Sequence, residues 1–325
     1  MRAWGKIDLT TRAREATLAV LCLLAVLVFA QYSPAYLSAD NLAAVLRNSV
    51  ELLLVSLGIT LLLAMGGIDI TVGVVLGLAA IAIGRLLLAG VDPWLAAAAG
   101  PAVGLMLGLV TGAVIVFGRI PAIVATVGLL GVYRTMIFLV LGGSWLSGLP
   151  ATLSERLGGR LLGVVPVSMI VVALAYGAAF LALRRTPFGL HLLAIGNNQE
   201  RARLAGIPVR RVRLAAYAIS GALCGLAAVF YVATYRNVEM TVGSTLALDA
   251  IAASVLGGTA ILGGRASLLG TVIGVLLIRV IQNGFTIVGV PSLWQPVVTG
   301  ALLLGSLLLE RQVSARLGAA RPGGA

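Results

Sequence analysis

Apolar residues form long runs along the chain, and short polar or glycine-containing segments separate one run from the next. A helix needs about 20 predominantly apolar residues to cross the hydrocarbon core of a bilayer. The pattern therefore predicts an all-α polytopic membrane protein with about ten transmembrane helices. The predicted spans are 16–30 with a continuation to Tyr36, 49–66, 69–88, 94–117, 122–141, 164–183, 214–235, 247–262, 268–288 and 293–309.

At two boundaries, only a few residues separate one apolar run from the next. Neighbouring spans meet at Gly66 and Gly67, and again at Gly263 and Gly264. Non-helical backbone at membrane depth is tolerated only where protein or a water-filled cavity surrounds it. Each of these places is therefore either a turn between two full crossings or part of a broken, re-entrant element, and the sequence leaves both open.

Residues 184–213 form the longest polar interruption of the apolar pattern. Pro187 suits the first turn of a helix, Gly196 suits a break or bend, and Asn197 suits the cap of a short segment at 198–204. The loop thus predicts two short helices. Its apolar residues alternate with polar ones in a way that favours contact with a partner surface; the alternative is an ordinary positively charged cytoplasmic loop. These apolar residues are Leu190, Leu193, Ile195, Leu204 and Ile207.

Composition excludes a soluble domain. Hydrophobic residues make up 60% of the chain and charged residues 10%, with a mean hydropathy of +1.09. Soluble domains are only about 45–50% apolar. The net charge of +12 must then be judged against the tendency of Lys and Arg to gather on the cytoplasmic side of a membrane.

The distribution of basic residues predicts the orientation of the chain. With the N-terminus inside, 16 of the 23 basic residues fall on inner segments, and seven of these lie in the loop at 184–213. Ten spans then place both termini in the cytoplasm, with a tail at 1–15, a transmembrane domain at 16–309 and a second tail at 310–325. This pattern explains the charge without a nucleic-acid partner.

Two residue types that many enzymes need are scarce. Lys6 is the single lysine and lies in the N-terminal tail, and His191 is the single histidine and lies in the polar loop. A P-loop or a Schiff base needs a lysine at its site, and a Ser-His-Asp triad needs a histidine. Cys22 and Cys224 lie in apolar runs and support neither a disulfide nor a metal site. The sequence predicts no catalytic residue, no metal and no cofactor.

Four charged residues are predicted near or at membrane depth. Asp69 and Asp249 stand near the ends of spans, where a carboxylate is either functional or a helix cap. Arg134 and Arg279 lie deeper, so each needs a partner or a water-filled cavity, and an aspartate is one such partner. The candidates for a translocation pathway or its structural support are Asp69, Thr71, Arg134, Asp249, Arg279 and Asn283, and Ser254, Thr259 and Gln282 add neutral hydrogen-bonding groups.

Three motifs give the chain a resemblance to a known family. Gly67–Gly73 reads Gly-Ile-Asp-Ile-Thr-Val-Gly and resembles the Gly-Ile-Asp-Leu-Ser-Val-Gly signature of the membrane permeases of bacterial ABC sugar importers, the ribose-type group. Segments 196–207 and 248–265 match as well, and the resemblance covers nearly the whole chain. Segment 120–150 is most similar to the autoinducer-2 and rhamnose permeases. Many ribose-type members carry glutamate where this chain has Ala247, so ribose specificity does not transfer.

The resemblance implies a division of labour between several chains. Such permeases lie in the bacterial inner membrane, surrounded by lipid, as pairs of identical or homologous subunits. They receive substrate from a periplasmic substrate-binding protein and couple to ABC ATPase subunits through a cytoplasmic loop. The residues implied in ATPase coupling here are Gly196, Asn197, Arg201, Leu204, Ala205 and Gly206.

The implied substrate is a neutral sugar-like molecule, such as a monosaccharide, rhamnose or autoinducer-2. Recognition of an anion usually requires clustered cations or helix N-termini, and only Arg134 and Arg279 are predicted to lie at membrane depth. A permease for branched-chain amino acids or nucleosides is the alternative within the same superfamily. A proton-coupled secondary transporter that uses Asp69 or Asp249 is a further alternative. An intramembrane enzyme is the weakest, because no nucleophile and base are paired.

Overall fold

The computed structural model of the chain describes residues 9–161 and 164–305. Its first half contains α1 (Leu9–Tyr32), α2 (Ala39–Ala64), α3 (Val72–Leu88), α4 (Pro93–Gly118), α5 (Ala122–Leu141) and the short α6 (Thr152–Leu157). Its second half contains α7 (Ser168–Arg185), α8 (Pro187–Asn197), α9 (Gln199–Leu204), α10 (Val209–Tyr235), α11 (Leu246–Leu256) and α12 (Leu268–Val288). Lys6, most of the predicted tail at 1–15 and all of the tail at 310–325 lie outside the described residues.

The remaining elements are short. Strands β1 (Arg160–Leu161) and β2 (Val165–Pro166) pair antiparallel, with Leu161 opposite Val165. One 3-10 turn (Pro34–Leu37) joins α1 to α2, and another (Ser292–Trp294) begins the final helical stretch. Over the described residues the fold is therefore all-α, apart from this short ribbon between α6 and α7 and an isolated antiparallel bridge between Leu146 and Val238.

Each of the ten predicted spans contains one apolar helix. Within the described residues, α1, α2, α4, α5, α7, α10 and α12 are long and apolar enough to cross a membrane. The other three predicted spans hold shorter apolar helices, namely Val72–Leu88, Leu246–Leu256 and Ser292–Gly305. The chain is thus a multi-pass membrane protein.

The predicted span at 247–262 is helical over only its first part. Its helix, α11, has 11 residues and rises about 16 Å, roughly half of a hydrocarbon core of about 30 Å. It ends at Gly257 and Gly258, and the φ of Gly258 is +97°, a left-handed value that favours glycine. The stretches before and after α11, at 236–245 and 257–267, are not regular helix.

α1 begins at Leu9, inside the predicted tail at 1–15, and two other helices also begin well before their predicted starts. α2 begins at Ala39 because the Ser38 side chain accepts a hydrogen bond from the Asn41 amide and caps the helix. α10 begins at Val209, directly after Pro208. Hydrophobicity alone places the starts of α2 and α10 too late, because the first turns of these helices are polar and precede the apolar run.

The centre of the bundle is formed by α2, α4 and α10. All residues of α2 from Ser49 to Ala64 are buried. α4 and α10 approach so closely that a Cβ at Gly104 would overlap the Gly221 carbonyl oxygen. Small residues at four-residue spacing permit this approach between membrane helices.

Candidate functional site

The loop at 184–213 contains two short helices, as its sequence predicts. Pro187 occupies the first turn of α8, and the Thr186 side chain accepts a hydrogen bond from the Gly189 amide. The Asn198 side chain accepts a hydrogen bond of 2.9 Å from the Arg201 amide and caps α9. The predicted cap at Asn197 was wrong by one residue. Asn197 is instead the last residue of α8, and its side-chain Nδ2 donates a hydrogen bond to the Leu193 carbonyl oxygen.

Gly196 lies inside α8 and packs against two other segments. A Cβ at this position would overlap the Ala64 carbonyl oxygen at the end of α2 and the Gly264 amide nitrogen. That amide donates a hydrogen bond of 2.9 Å to the same Ala64 carbonyl. α8, the end of α2 and the segment 257–267 therefore meet backbone to backbone. We call this contact the glycine junction. The predicted break or bend at Gly196 was wrong, because the glycine serves close packing within the helix.

The two faces of α8 and α9 differ in exposure. Leu192 and Ile195 point into the bundle and are buried, whereas Leu190 is exposed and Leu204 is 77% exposed. Arg201 is also exposed, Ala205 follows the last turn of α9, and Gly206 has a φ of +79° that turns the chain toward α10. The result is a surface of exposed leucines and arginines held on a rigid base. We call it the α8–α9 surface.

An ion pair also lies on the α8–α9 surface. Arg203 Nη2 is 2.6 Å from Glu200 Oε1 within the same helix turn. The hydrogen bond from Arg203, together with its charge, lowers the pKa of the Glu200 carboxyl. Both side chains are exposed, so this pair adds little to stability.

Asp69 lies two residues before Thr71, which is the N-cap residue of α3. Its Oδ1 accepts hydrogen bonds from the Thr71 backbone amide, at 2.8 Å, and from the Thr71 hydroxyl, at 2.6 Å. Both residues are buried. Asp69 therefore holds the turn ahead of α3 and does not bond an N–H of the first helical turn, although its carboxylate lies near the positive end of the helix dipole.

Arg134 fixes the non-helical segment that precedes α11. Its Nη1 donates to the carbonyl oxygens of Met240, at 2.8 Å, and Val242, at 3.2 Å. Backbone carbonyls without helical partners need such donors in a membrane protein. Gly73 supports the same segment, since a Cβ there would overlap the Gly243 carbonyl oxygen.

A polar cavity of about 150 Å³ lies beside this segment. α2 contributes Glu51, α10 contributes Tyr231 and Tyr235, and α12 contributes Arg279. The rest of its lining comes from α3, the segment before α11 and α11 itself: Leu76, Val242, Gly243, Thr245, Leu246 and Asp249. We call it the polar cavity. Two of the predicted pathway candidates, Asp249 and Arg279, thus lie together.

The charged groups of the polar cavity are only partly paired. Arg279 Nη1 donates to Gln282 Oε1 at 2.9 Å, and Gln282 Nε2 lies 3.4 Å from Asp249 Oδ2, so the glutamine links the two. Glu51 is 6% exposed, yet its Oε1 has no hydrogen-bond partner among the described residues, and neither has the Nε of Arg279.

Sequence reasoning missed Glu51, Tyr231 and Tyr235. A signal for Glu51 is present, because a carboxylate within a predicted span at 49–66 is a functional candidate by default. The tyrosines carry no comparable signal, since a tyrosine near the end of a span is ordinary at a membrane interface.

Most of the predicted neutral groups bond within the bundle. Thr60 donates to Ser254 at 3.0 Å and lies 2.8 Å from the Thr271 hydroxyl, which joins α2, α11 and α12. Asn283 exchanges two amide hydrogen bonds with Asn41, at 3.0 and 3.1 Å. Interhelical hydroxyl and amide bonds of this kind hold membrane helices together.

Thr259 also bonds internally, accepting a hydrogen bond from the Ser267 amide at 3.2 Å. Thr71, Ser254, Thr259 and Asn283 are absent from the lining of the polar cavity. Within residues 9–161 and 164–305, no group of three or more His, Cys, Asp or Glu side chains is placed to hold a metal ion.

Comparison with known proteins places this architecture among permeases. Residues 41–307 match the family described as the permease component of branched-chain amino acid transport systems. The chain is 38% identical over 314 residues to the autoinducer 2 import system permease protein LsrC of Klebsiella pneumoniae subsp. pneumoniae, covering 96% of this chain and 90% of that protein. It is 35% identical over 292 residues to the ribose import permease protein RbsC of Bacillus subtilis, covering 89% and 90%. No solved structure matches the chain.

Proposed function

Because the chain belongs to the family of permease components of branched-chain amino acid transport systems, we propose that it is the membrane subunit of an ABC importer in the bacterial inner membrane. Its partners are ABC ATPase subunits, a periplasmic substrate-binding protein and a second permease subunit. The observation that carries this proposal is the α8–α9 surface, which exposes Leu204 and neighbouring arginines. This surface is connected to the rest of the bundle through the glycine junction. A surface of this kind is suited to docking a partner protein.

The glycine junction supports a role in coupling. α8 contacts the end of α2 and the segment 257–267 through backbone atoms. The end of α2 continues along the chain to Asp69 and α3, and the segment 257–267 directly follows α11. A displacement of α8 by a partner is therefore passed to both elements, because close-packed backbone does not absorb a shift.

A neutral sugar-like molecule is the substrate that we favour. The curated relatives that match 89–96% of the chain are named for autoinducer 2 and ribose, although the family description mentions amino acids. The polar cavity supports the sugar assignment, since it holds carboxylates and tyrosines with a single guanidinium. A zwitterionic amino acid requires a separate carboxylate pocket, which usually contains several donors.

Deletion of the ATPase tests the class of transporter. In cells that carry the complete import system, uptake of radiolabelled ribose, rhamnose or autoinducer-2 should stop when the ATPase gene is removed, and a protonophore should have little immediate effect. Uptake that survives the deletion but stops with the protonophore would assign the chain to the proton-coupled class. Competition by leucine, with none by sugars, would move it to the amino-acid branch.

A further inference from the structure

We infer that the polar cavity is a binding site for one neutral polyhydroxylated ring, with Glu51 and Arg279 as its polar anchors and Tyr231 and Tyr235 as its aromatic wall. The inference rests on the proposed function and names the place within the membrane bundle where this chain itself holds the sugar. It concerns residues that are far apart in sequence and that meet only in the fold.

The unpaired atoms indicate what the ligand must offer. Glu51 Oε1 is an acceptor without a donor, and Arg279 Nε is a donor without an acceptor, among the residues that the structure describes. Leaving such groups unpaired in a buried site costs about 1–3 kcal/mol each. A hydroxyl both donates and accepts. Neither unpaired atom has surface open to a water-sized molecule, so the hydroxyls of one sugar pair with both groups when the Glu51 and Arg279 side chains, which line the cavity, turn toward it. A purely apolar ligand pairs with neither.

The aromatic wall suits the carbon face of a sugar ring. The Tyr231 and Tyr235 rings lie together, with centroids 4.8 Å apart and an interplanar angle of 42°. Leu76, Val242 and Leu246 extend the apolar part of the lining. Small-molecule sites combine an apolar and aromatic lining with a few placed polar groups, and the polar cavity has this composition.

The charges that line the polar cavity and the volume of the cavity further restrict the class of ligand that it can bind. Two carboxylates, Glu51 and Asp249, face one guanidinium, Arg279. A phosphorylated sugar or a carboxylate therefore meets like charges in a medium of low dielectric constant, which disfavours its binding. A volume of about 150 Å³ is enough for a single small ring.

The wall beside the ligand is held in place by contacts outside the cavity. Arg134 bonds the carbonyls of Met240 and Val242, and Gly243 packs directly against Gly73. Gln282 orients Asp249 and Arg279 from behind. The site is thus preorganised, which reduces the entropy cost of binding.

Protection of a cysteine tests the inference directly. Cys22 and Cys224 are first replaced by alanine in the full-length permease. Thr245, exposed and in the cavity lining, is then changed to cysteine, and Thr245→Cys is labelled with a thiol reagent in detergent. The matched control is Ser244→Cys, the adjacent exposed residue, which does not line the cavity. Ribose, rhamnose, autoinducer-2 and ribose 5-phosphate are the probes.

A neutral sugar that the complete system imports should slow labelling of Thr245→Cys about tenfold when its concentration is ten times its dissociation constant. Labelling of Ser244→Cys should not change, and ribose 5-phosphate should not protect. Unchanged labelling with an imported sugar overturns the site while leaving the proposed function intact. Protection by the phosphate overturns the neutral class. If the system imports none of the sugars, the proposed function itself fails.

Substitution of Glu51 identifies the anchor. Glu51→Gln should raise the sugar concentration for half-protection about tenfold, because a neutral amide oxygen accepts a hydrogen bond more weakly than a carboxylate does. Ser220→Ala is the matched control, since Ser220 is equally buried with an unpaired hydroxyl but does not line the cavity. An unchanged labelling rate of Ser244→Cys in the Glu51→Gln background verifies the fold. If the sugar concentration for half-protection is the same in Glu51→Gln and in wild type, the role of Glu51 as an anchor is overturned.

Discussion

The glycine junction and the polar cavity satisfy their polar groups in opposite ways. At the junction, backbone atoms of α8, α2 and the segment 257–267 contact one another directly, and the Gly264 amide donates to the Ala64 carbonyl. At the cavity, a carboxylate oxygen of Glu51 and the Nε of Arg279 have no hydrogen-bond partner among the described residues. Close backbone contact transmits motion, whereas unpaired polar groups receive a ligand. The difference supports our proposals that one region transmits force and the other contacts substrate.

The largest effect should come from filling the glycine junction. In Gly196→Val, the new side chain overlaps the Ala64 carbonyl and the Gly264 amide, so α8 must move. Overpacking typically costs about 1–3 kcal/mol, and we expect uptake to be lost while the chain still inserts into the membrane. Uptake of radiolabelled substrate measures the loss of transport, and the amount of protein in the membrane measures insertion.

Gly177→Val is the control for the junction, because a Cβ at Gly177 in α7 meets nothing within 4 Å. This variant should transport like wild type. Equal loss in both variants would mean that any bulky residue in this part of the chain is harmful, and the junction would lose its special role.

A smaller effect should follow from releasing the segment before α11. Arg134→Met keeps much of the length and the apolar stem but loses the hydrogen bonds to Met240 and Val242. A hydrogen bond to a charged group is worth about 1.5–3 kcal/mol, so the melting temperature of the purified protein should fall. Arg85→Met is the comparison, since exposed Arg85 makes one bond to the Val140 carbonyl. A larger loss in Arg85→Met would contradict the role given to Arg134.

Removal of the Asp69 carboxylate, which holds the turn ahead of α3, should have a moderate effect. Asp69→Ala leaves the buried Thr71 amide without its acceptor, and an unpaired buried donor costs about 1–3 kcal/mol. Asp69→Asn retains an acceptor and should be less harmful in both thermal unfolding and uptake. If Asp69→Asn and Asp69→Ala abolish uptake equally without loss of stability, the carboxylate has a role in transport beyond holding this turn.

The smallest effect concerns Glu200, whose pKa is lowered by the hydrogen bond and charge of Arg203. A carboxyl with a lowered pKa in the folded state stabilises the fold above its unfolded pKa, and this contribution disappears as the pH falls through the lowered value. Because the pair is exposed, the melting temperatures of Glu200→Gln and wild type should nearly agree at neutral pH and converge in acid. A difference that grows as the pH falls would contradict this assignment.

Hydrophobic runs were enough to locate a helix in each predicted span, since lipid requires long apolar helices. The end of α11 was missed because the apolar pattern continues past Gly257 into residues that are not helical. The start of α2 was missed because its first turn is polar and is defined by the Ser38 cap.

The sites were harder to predict than the fold. The loop at 184–213 was recognisable because its polarity contrasts with the rest of the chain. The polar cavity was not, because Glu51, Asp249 and Arg279 are separated by most of the chain and meet only through packing of α2, α11 and α12. No periodicity in a single sequence reports such a contact. Gly196 was singled out correctly but for the wrong reason, since its close contacts are also long-range.

We propose that the α8–α9 surface couples this chain to an ATPase, and parallel measurement of ATP hydrolysis and of uptake in one preparation tests this coupling. We would reconstitute the complete transporter with its binding protein in liposomes and compare wild type, Leu204→Asp and the apolar control Leu204→Met. We expect Leu204→Met to behave like wild type. Leu204→Asp places a carboxylate where wild type has an apolar side chain that is 77% exposed, so it should lose both uptake and the hydrolysis stimulated by loaded binding protein. Wild-type hydrolysis and uptake in Leu204→Asp would contradict the proposed coupling.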